Sequence, residues 1–291
     1  MAIKSVSVVI NGTTTALTYD SATGKWKGTI TAPGSTSFTK DGGYYPVTVT
    51  ATNDAGTTAT DTSYRLIVKE TVKPTISISS PTSGAFVTNN KQPIVFTVVD
   101  ESGGSGVNIN SLVIKQDGTK VTSGIVSTAI TNGYSVTYTP TSVLSDGSHT
   151  ITIDCSDNDG NAASTKTTTF KVDTIPPSLN VATPLEGIIT NTASCVVSGT
   201  TNDATSSPVT LTVNGSAVTV ASNGTWSKTI TLVNGENVIT VIAKDTAGRT
   251  TTVKRTVTLD TSVPVISNIA ITPNPATTGA TMIITVEVTN G

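Results

Sequence analysis

Oxygen-bearing side chains crowd one short stretch of this chain, where Asp157, Asn158, Asp159 and Asn161 fall within five residues. Carboxylate and carbonyl oxygens on a flexible loop are the ligands that a calcium ion takes. Asp100, Glu101 and Asp173 join this group if their loops share one end of the fold, which makes Asp100, Asp157, Asp159 and Asp173 the candidate calcium ligands. Such an ion would stiffen a joint rather than catalyse. The spacing is not that of an EF-hand loop, and the equivalent turns elsewhere hold only Asn53-Asp54 or Asp245. Asp and Asn are also ordinary turn formers, so the alternative is a plain turn and no cofactor.

Other chemistry has little to build on. The single histidine, His149, stands in Asp146-Gly-Ser-His-Thr150, with nothing in the sequence to collect a nucleophile and an orienting group around it. No catalytic residue is therefore assigned. Cys155 and Cys195 lie on opposite sides of a junction and make neither a disulfide framework nor, with one histidine, a structural zinc site. Cys155 alternates in phase with Ile151 and Ile153 and reads as a small core residue. Trp26 and Trp226 occupy corresponding positions of a repeat, which argues for core packing. The Gly42-Gly43-Tyr44-Tyr45-Pro46 turn is left as the aromatic contact patch for a glycan or protein, through Tyr44 and Tyr45.

The elements that must carry these residues are strands. Charged residues make up 12 % and aromatics 4 % of the 291 residues, so the polar partners of Val and Ile are mostly Thr and Ser, as in sheets with one wet face. Three junctions, Glu70-Thr-Val-Lys-Pro74, Asp173-Thr-Ile-Pro-Pro177 and Asp260-Thr-Ser-Val-Pro264, separate the alternating stretches. Between the last two, strict alternation at Val209–Val213 and Ile239–Ala243, with Asn214-Gly215 and Asn223-Gly224 as tight turns, predicts seven short strands in a two-sheet sandwich. The predicted organisation is 1–70, a module lacking its two opening strands; 74–173 and 177–260, two complete sandwiches; and 264–291, the opening strands of a further module. Extra loop length falls at Ser102–Gly106 and Asp117–Gly124 of the middle module.

The Asp100…Ser105-Gly106-Val107 segment, the run Asp146-Gly-Ser-His-Thr-Ile-Thr152 leading to Asp157…Gly160-Asn161, and the Asp/Thr/Pro junctions resemble the tandem bacterial immunoglobulin-like (Big-type) domains of surface proteins, adhesins and phage virion proteins. The resemblance implies an all-β fold of tandem immunoglobulin-like β-sandwiches in an elongated arrangement. It implies a non-enzymatic spacer, stalk or display role, sometimes with sugar or protein binding.

Net charge is -2, and no block of Lys or Arg runs beside aromatics, so nucleic acid is not an expected partner. No stretch has the roughly 20 apolar residues of a membrane helix, so membrane insertion is not expected either. The first residues, Met-Ala-Ile-Lys-Ser-Val-Ser, lack the apolar run of a secretion signal. That favours the phage branch of the resemblance: a virion component assembled in the host cytoplasm, whose partners are subunits of a virion or tail. The alternative is a bacterial cell-surface adhesin or glycan-binding stalk. For 265–291, three readings stand: a continuation beyond the segment, docking of the first module on another protein, or self-association in which the tail of one molecule completes the first module of the next.

Overall fold

A computed structural model describes residues 2–291. The Thr-, Val- and Ile-rich sequence folds as β throughout, with one 3-10 turn at Asp41–Gly43 among the described residues. No described helix is long and apolar enough to cross a membrane. The chain divides after Asp173 into two compact units.

The first unit begins with β1 (Ile3–Ile10), β2 (Thr13–Asp20), β3 (Lys25–Lys27), β4 (Tyr45–Asn53) and β5 (Thr58–Leu66), joined in one antiparallel sheet of order β3-β2-β1-β4-β5. Asn11 and Gly12 turn β1 into β2 with φ of 49° and 78°, the positive values for which Asn-Gly is suited. Among the described residues no second sheet pairs up opposite this one. In consequence Trp26 is only half-buried and leans on Tyr19, with ring centroids 5.5 Å apart. Its counterpart Trp226 is 4 % exposed, so the core role expected of both holds for Trp226 alone.

The rest of the unit is a two-sheet sandwich. It comprises β6 (Thr75–Ser80), β7 (Ala85–Val87), β8 (Ile94–Val99), β9 (Val107–Gln116), β10 (Thr119–Lys120), β11 (Ile125–Ile130), β12 (Gly133–Tyr138), β13 (Gly147–Asp157) and β14 (Lys166–Val172). One sheet has the order β11-β12-β8-β6 and the other β10-β9-β13-β14-β7. Alternation supplies the core: Ile94, Phe96, Val98 and Val136 from the first sheet are fully buried with Ile151, Ile153, Phe170 and Val172 from the second. Cys155 is buried in the same cluster, as its phase predicted.

The second unit repeats the plan. It contains β15 (Ser178–Thr183), β16 (Ile188–Thr190), β17 (Ser194–Asn202), β18 (Thr210–Val213), β19 (Ser216–Val218), β20 (Thr225–Thr231), β21 (Gly235–Lys244) and β22 (Thr250–Leu259). The sheets are β15-β17-β20 and β16-β22-β21-β18-β19, enclosing Val197, Trp226, Leu211, Val241 and Val257. Strands β7 and β16 lie parallel to β14 and β22. Last come β23 (Val265–Thr272) and β24 (Ile283–Thr289), a two-stranded antiparallel sheet of its own.

Candidate metal centre

Two strand ends and one connection build the site. Asp100 directly follows β8, Asp157 ends β13, and Glu70 stands in the connection between β5 and β6. One carboxylate oxygen from each lies within 4.8 Å of the others. Ligands on opposite sides of a calcium ion stand about 5 Å apart, so this spacing is the one a shared ion requires.

The loop Ser102–Gly106 shapes the near wall. The Gly106 N–H donates to Asp100 Oδ2 at 2.8 Å, and Ser105 N–H donates to Glu70 Oε1. The far wall is the turn after β13. Asn161 fixes Asp157, its backbone N–H donating to Oδ1 and its side-chain amide to Oδ2, both at 2.8 Å. The Asn158 amide donates to the carbonyls of Ser105 and Gly106 at 2.9 Å, tying the two walls together.

Two oxygens in this frame are buried without a hydrogen-bond partner, Glu70 Oε2 and Asp100 Oδ1. Asp100 is only 3 % exposed, and a buried acceptor left unpaired is expensive. Burial pushes the Asp100 carboxyl above its ordinary range. The Gly106 N–H opposes this, and the charges of Glu70, Asp157 and Asp159 add to it. A divalent cation bound among these oxygens would offset these penalties together. The donors are all oxygens, which suits calcium or magnesium rather than zinc.

Asp159 plays a different part from the one its place in the cluster suggested. Its Oδ2 accepts from Thr36 Oγ1 at 2.5 Å and from the Glu70 N–H at 3.0 Å. It therefore fastens the first sheet's connections to the middle sandwich while Glu70, Asp100 and Asp157 form the carboxylate group. Asp173 does not join them. It follows β14, whose Val172 pairs with Gly147 at the start of β13, whereas Asp157 is the last residue of β13. Ten residues of strand separate those ends, roughly 33 Å. Glu70, which sequence reasoning did not place here, was signalled by the acid that recurs at each junction.

In the second unit Asp203 and Asp245 hold the positions of Asp100 and Asp157. Both are buried, with carboxylate oxygens within 4.8 Å, and Asp245 Oδ2 has no hydrogen-bond partner.

The other sequence candidates fall elsewhere. Tyr45 is 2 % exposed, with its hydroxyl 2.8 Å from Ser35 Oγ, so it is a core residue and not a contact. Tyr44 is half-buried and the Arg65 guanidinium lies 4.2 Å from its ring centre, covering one face of the ring. His149 is buried, with Nδ1 2.8 Å from Asp117 Oδ2 and Nε2 2.8 Å from the Ser145 carbonyl. Both partners are oxygen acceptors, an arrangement that favours the protonated ring, whose two nitrogens can both donate. Burial pulls its pKa down, but the bonds to Asp117 and Ser145 outweigh that and hold it above the ordinary value.

Residues 74–153 match the family model of a bacterial Ig domain (Big_7), and residues 177–261 match glucodextranase, domain B. Bacillopeptidase F of Bacillus subtilis (strain 168) is 35 % identical over 127 residues, 44 % of this chain. The chain spans 9 % of the length of that curated relative. Among solved structures, the fibronectin(III)-like modules of Clostridium thermocellum CbhA align with 64 % of this chain and 94 % of theirs, at 18 % identity and a TM-score of 0.39. A tetra-tandem repeat in the extending region of a large adhesion protein aligns with 98 % of this chain and 79 % of its own, at 20 % identity and a TM-score of 0.34. The chain is an all-β tandem of immunoglobulin-like sandwiches.

Proposed function

We propose that this chain is a non-enzymatic spacer and display segment, and that a calcium ion clamps the joint ahead of its middle sandwich. The observation that carries this reading is the position of Glu70. It belongs to the connection between β5 and β6, yet its carboxylate meets Asp100 and Asp157 of the sandwich that follows. An ion held there restrains the connection as well as the loop ends, and restraint of joints is what a spacer needs. Calorimetric titration with calcium, on the 291-residue chain and on E70Q, tests it. Binding that weakens severalfold in E70Q supports the clamp; equal binding means that Glu70 is no ligand.

The setting put first by the sequence is a phage or phage-like particle, where such a segment would join virion or tail subunits and reach the host. The second is a bacterial cell-surface stalk, with a surface glycan as one partner. The match to Bacillopeptidase F, a protein of a bacterium, favours that second setting. An antibody to the chain separates them: it decorates purified particles in the first case and intact cells in the second.

A further inference from the structure

The edge of a sheet offers unpaired backbone N–H and C=O groups to any strand that arrives, and proteins blunt such edges with charge, proline, bulges or brevity. In the two sandwiches every edge but one is blunted in these ways. β6 and β15 each stand between two prolines, Pro74 and Pro81 or Pro177 and Pro184, and each has a register shift against its neighbour. β20 carries Lys228. β7, β16 and β19 are three residues long and β10 two. The exception is β11, outermost in β11-β12-β8-β6, which runs six residues with no charge, no proline and an unbroken register on β12. It has no counterpart in the second unit, whose three-stranded sheet stops at β20, the equivalent of β12. The extra loop length at Asp117–Gly124 leads into it.

The geometry of β11 shows which of its groups are free. Just before the Ile125–Tyr138 pair, the Thr139 N–H donates to the Gly124 carbonyl at 2.8 Å. Because ladder bonds alternate, Val126, Thr128 and Ile130 also turn their backbone groups toward β12, while Ile125, Ser127 and Ala129 turn theirs outward. Side chains alternate as well. Ile125 and Ser127 stand opposite the buried Tyr138 and Val136, so the face away from the core carries Val126, Thr128 and Ile130. Val126 is 66 % exposed and Ile130 41 %, and Ser127, Thr128 and Ala129 are exposed too.

We infer that β11 is a docking edge for a second copy of this chain, the two strands running antiparallel about a twofold axis at Thr128 so that two four-stranded sheets become one. The strand is its own complement. Pairing about Thr128 sets Val126 opposite Ile130, Ser127 opposite Ala129, and Thr128 opposite Thr128. Aliphatic and Thr–Thr pairs are both favourable across strands, and no charge on β11 repels its copy. The outward-turned Ser127 and Ala129 also meet, as ladder bonding between the copies requires. An axis at Ser127 would instead set Val126 opposite Thr128 and Ile130 opposite Gly124, leaving neither aliphatic side chain an aliphatic partner. The same patch serves both copies, so the contact closes at a dimer and does not grow into chains.

Sedimentation velocity of the 291-residue chain over a wide concentration range reads the association, with T128K, T128E and an equal mixture of the two alongside. Thr128 is exposed on the face away from the core, so both variants keep the sandwich, which their thermal melts verify. Wild type is expected to rise from the monomer's mass to twice that mass and no further. T128K and T128E, each placing like charges face to face on the axis, stay at the monomer's mass, and their mixture regains the dimer. Mild oxidation then reads the register. Opposite residues of a non-hydrogen-bonded pair have Cα atoms about 4.5 Å apart, within disulfide reach, so T128C links to its own copy at position 128, as peptide mapping shows. V126C alone does not, because its twin lies four residues further along the strand, roughly 13 Å away. A chain monomeric at every concentration overturns the inference and leaves the edge to a strand of another protein. Association untouched by T128K and T128E, a mixture that stays monomeric, or V126C linking as readily as T128C overturns it as well.

Discussion

Replacing Asp100 by Asn reverses sign with calcium. Without the ion, Asp100 Oδ1 is a buried, unpartnered oxygen beside two other carboxylates. Asn keeps an oxygen for the Gly106 N–H, removes one negative charge and offers an amide to the neighbouring oxygens. An unsatisfied buried acceptor costs about 1–3 kcal/mol, so D100N in EDTA gains on the order of 1 kcal/mol, which raises Tm by roughly 4–8 °C for a sandwich of this size. With calcium at about 100 times its Kd the wild-type chain gains about 2.7 kcal/mol, roughly 10–20 °C by the same conversion, and D100N loses most of that gain. The pH dependence has a fixed sign too. The folded pKa of Asp100 is raised, so the folded state holds this proton more tightly than the unfolded chain does. Apo stability is then present below the unfolded value of 3.8 and declines as pH rises through the folded one. D100N removes that decline. The assay is thermal melting by circular dichroism in EDTA and in calcium, from pH 4 upward. A variant less stable than wild type in EDTA, or one with an undiminished calcium shift, refutes the reasoning.

Three further outcomes follow from packing and protonation. The His149 pKa is raised by its bonds to Asp117 and Ser145 against the pull of burial; its stabilisation is complete below the unfolded value of 6.5 and lost as pH rises through the folded one, so urea midpoints fall across that window and H149Q flattens the fall. A Cβ on Gly133 would meet the Val98 carbonyl oxygen at 2.0 Å, inside the β8–β12 pair, so G133A destabilises by about 1–3 kcal/mol in urea unfolding. W226A removes a fully packed ring and costs about 3–5 kcal/mol, whereas W26A, at a half-exposed site, costs clearly less in the monomer; denaturant melts of the two variants compare them.

Much of the fold was legible because it is written locally. Asn214-Gly215 takes positive φ where it was read as a turn, and the alternation at Ile239–Ala243 places Ile239, Val241 and Ala243 in the core. Strands β7 and β16 escaped because three residues cannot display a period, and their pairing is with distant parallel neighbours. Trp26 was read as core by its position in the repeat, but burial needs a facing sheet, which no local pattern reports. The site divides in the same way. Asp100 and Asp157 were found as oxygen donors, yet their company depends on which strand ends coincide: β13 carries Asp157 away from Asp173, and the connection before β6 brings Glu70 in. Tyr45 looked like Tyr44 in sequence, and it is burial and the Ser35 contact that tell them apart.

The measurement that bears most directly on a calcium-clamped joint is amide hydrogen exchange with and without calcium, read at residues 68–74, 100–106 and 157–161. The Glu70 N–H is bonded to Asp159, and the Ser105 and Gly106 N–H groups to Glu70 and Asp100. Calcium is expected to slow exchange at all three segments together, and E70Q to remove the effect at 68–74 while the sandwich core keeps its protection. Protection confined to 100–106 and 157–161, with 68–74 unchanged, would contradict the account: an ion would then bind the sandwich without restraining the joint.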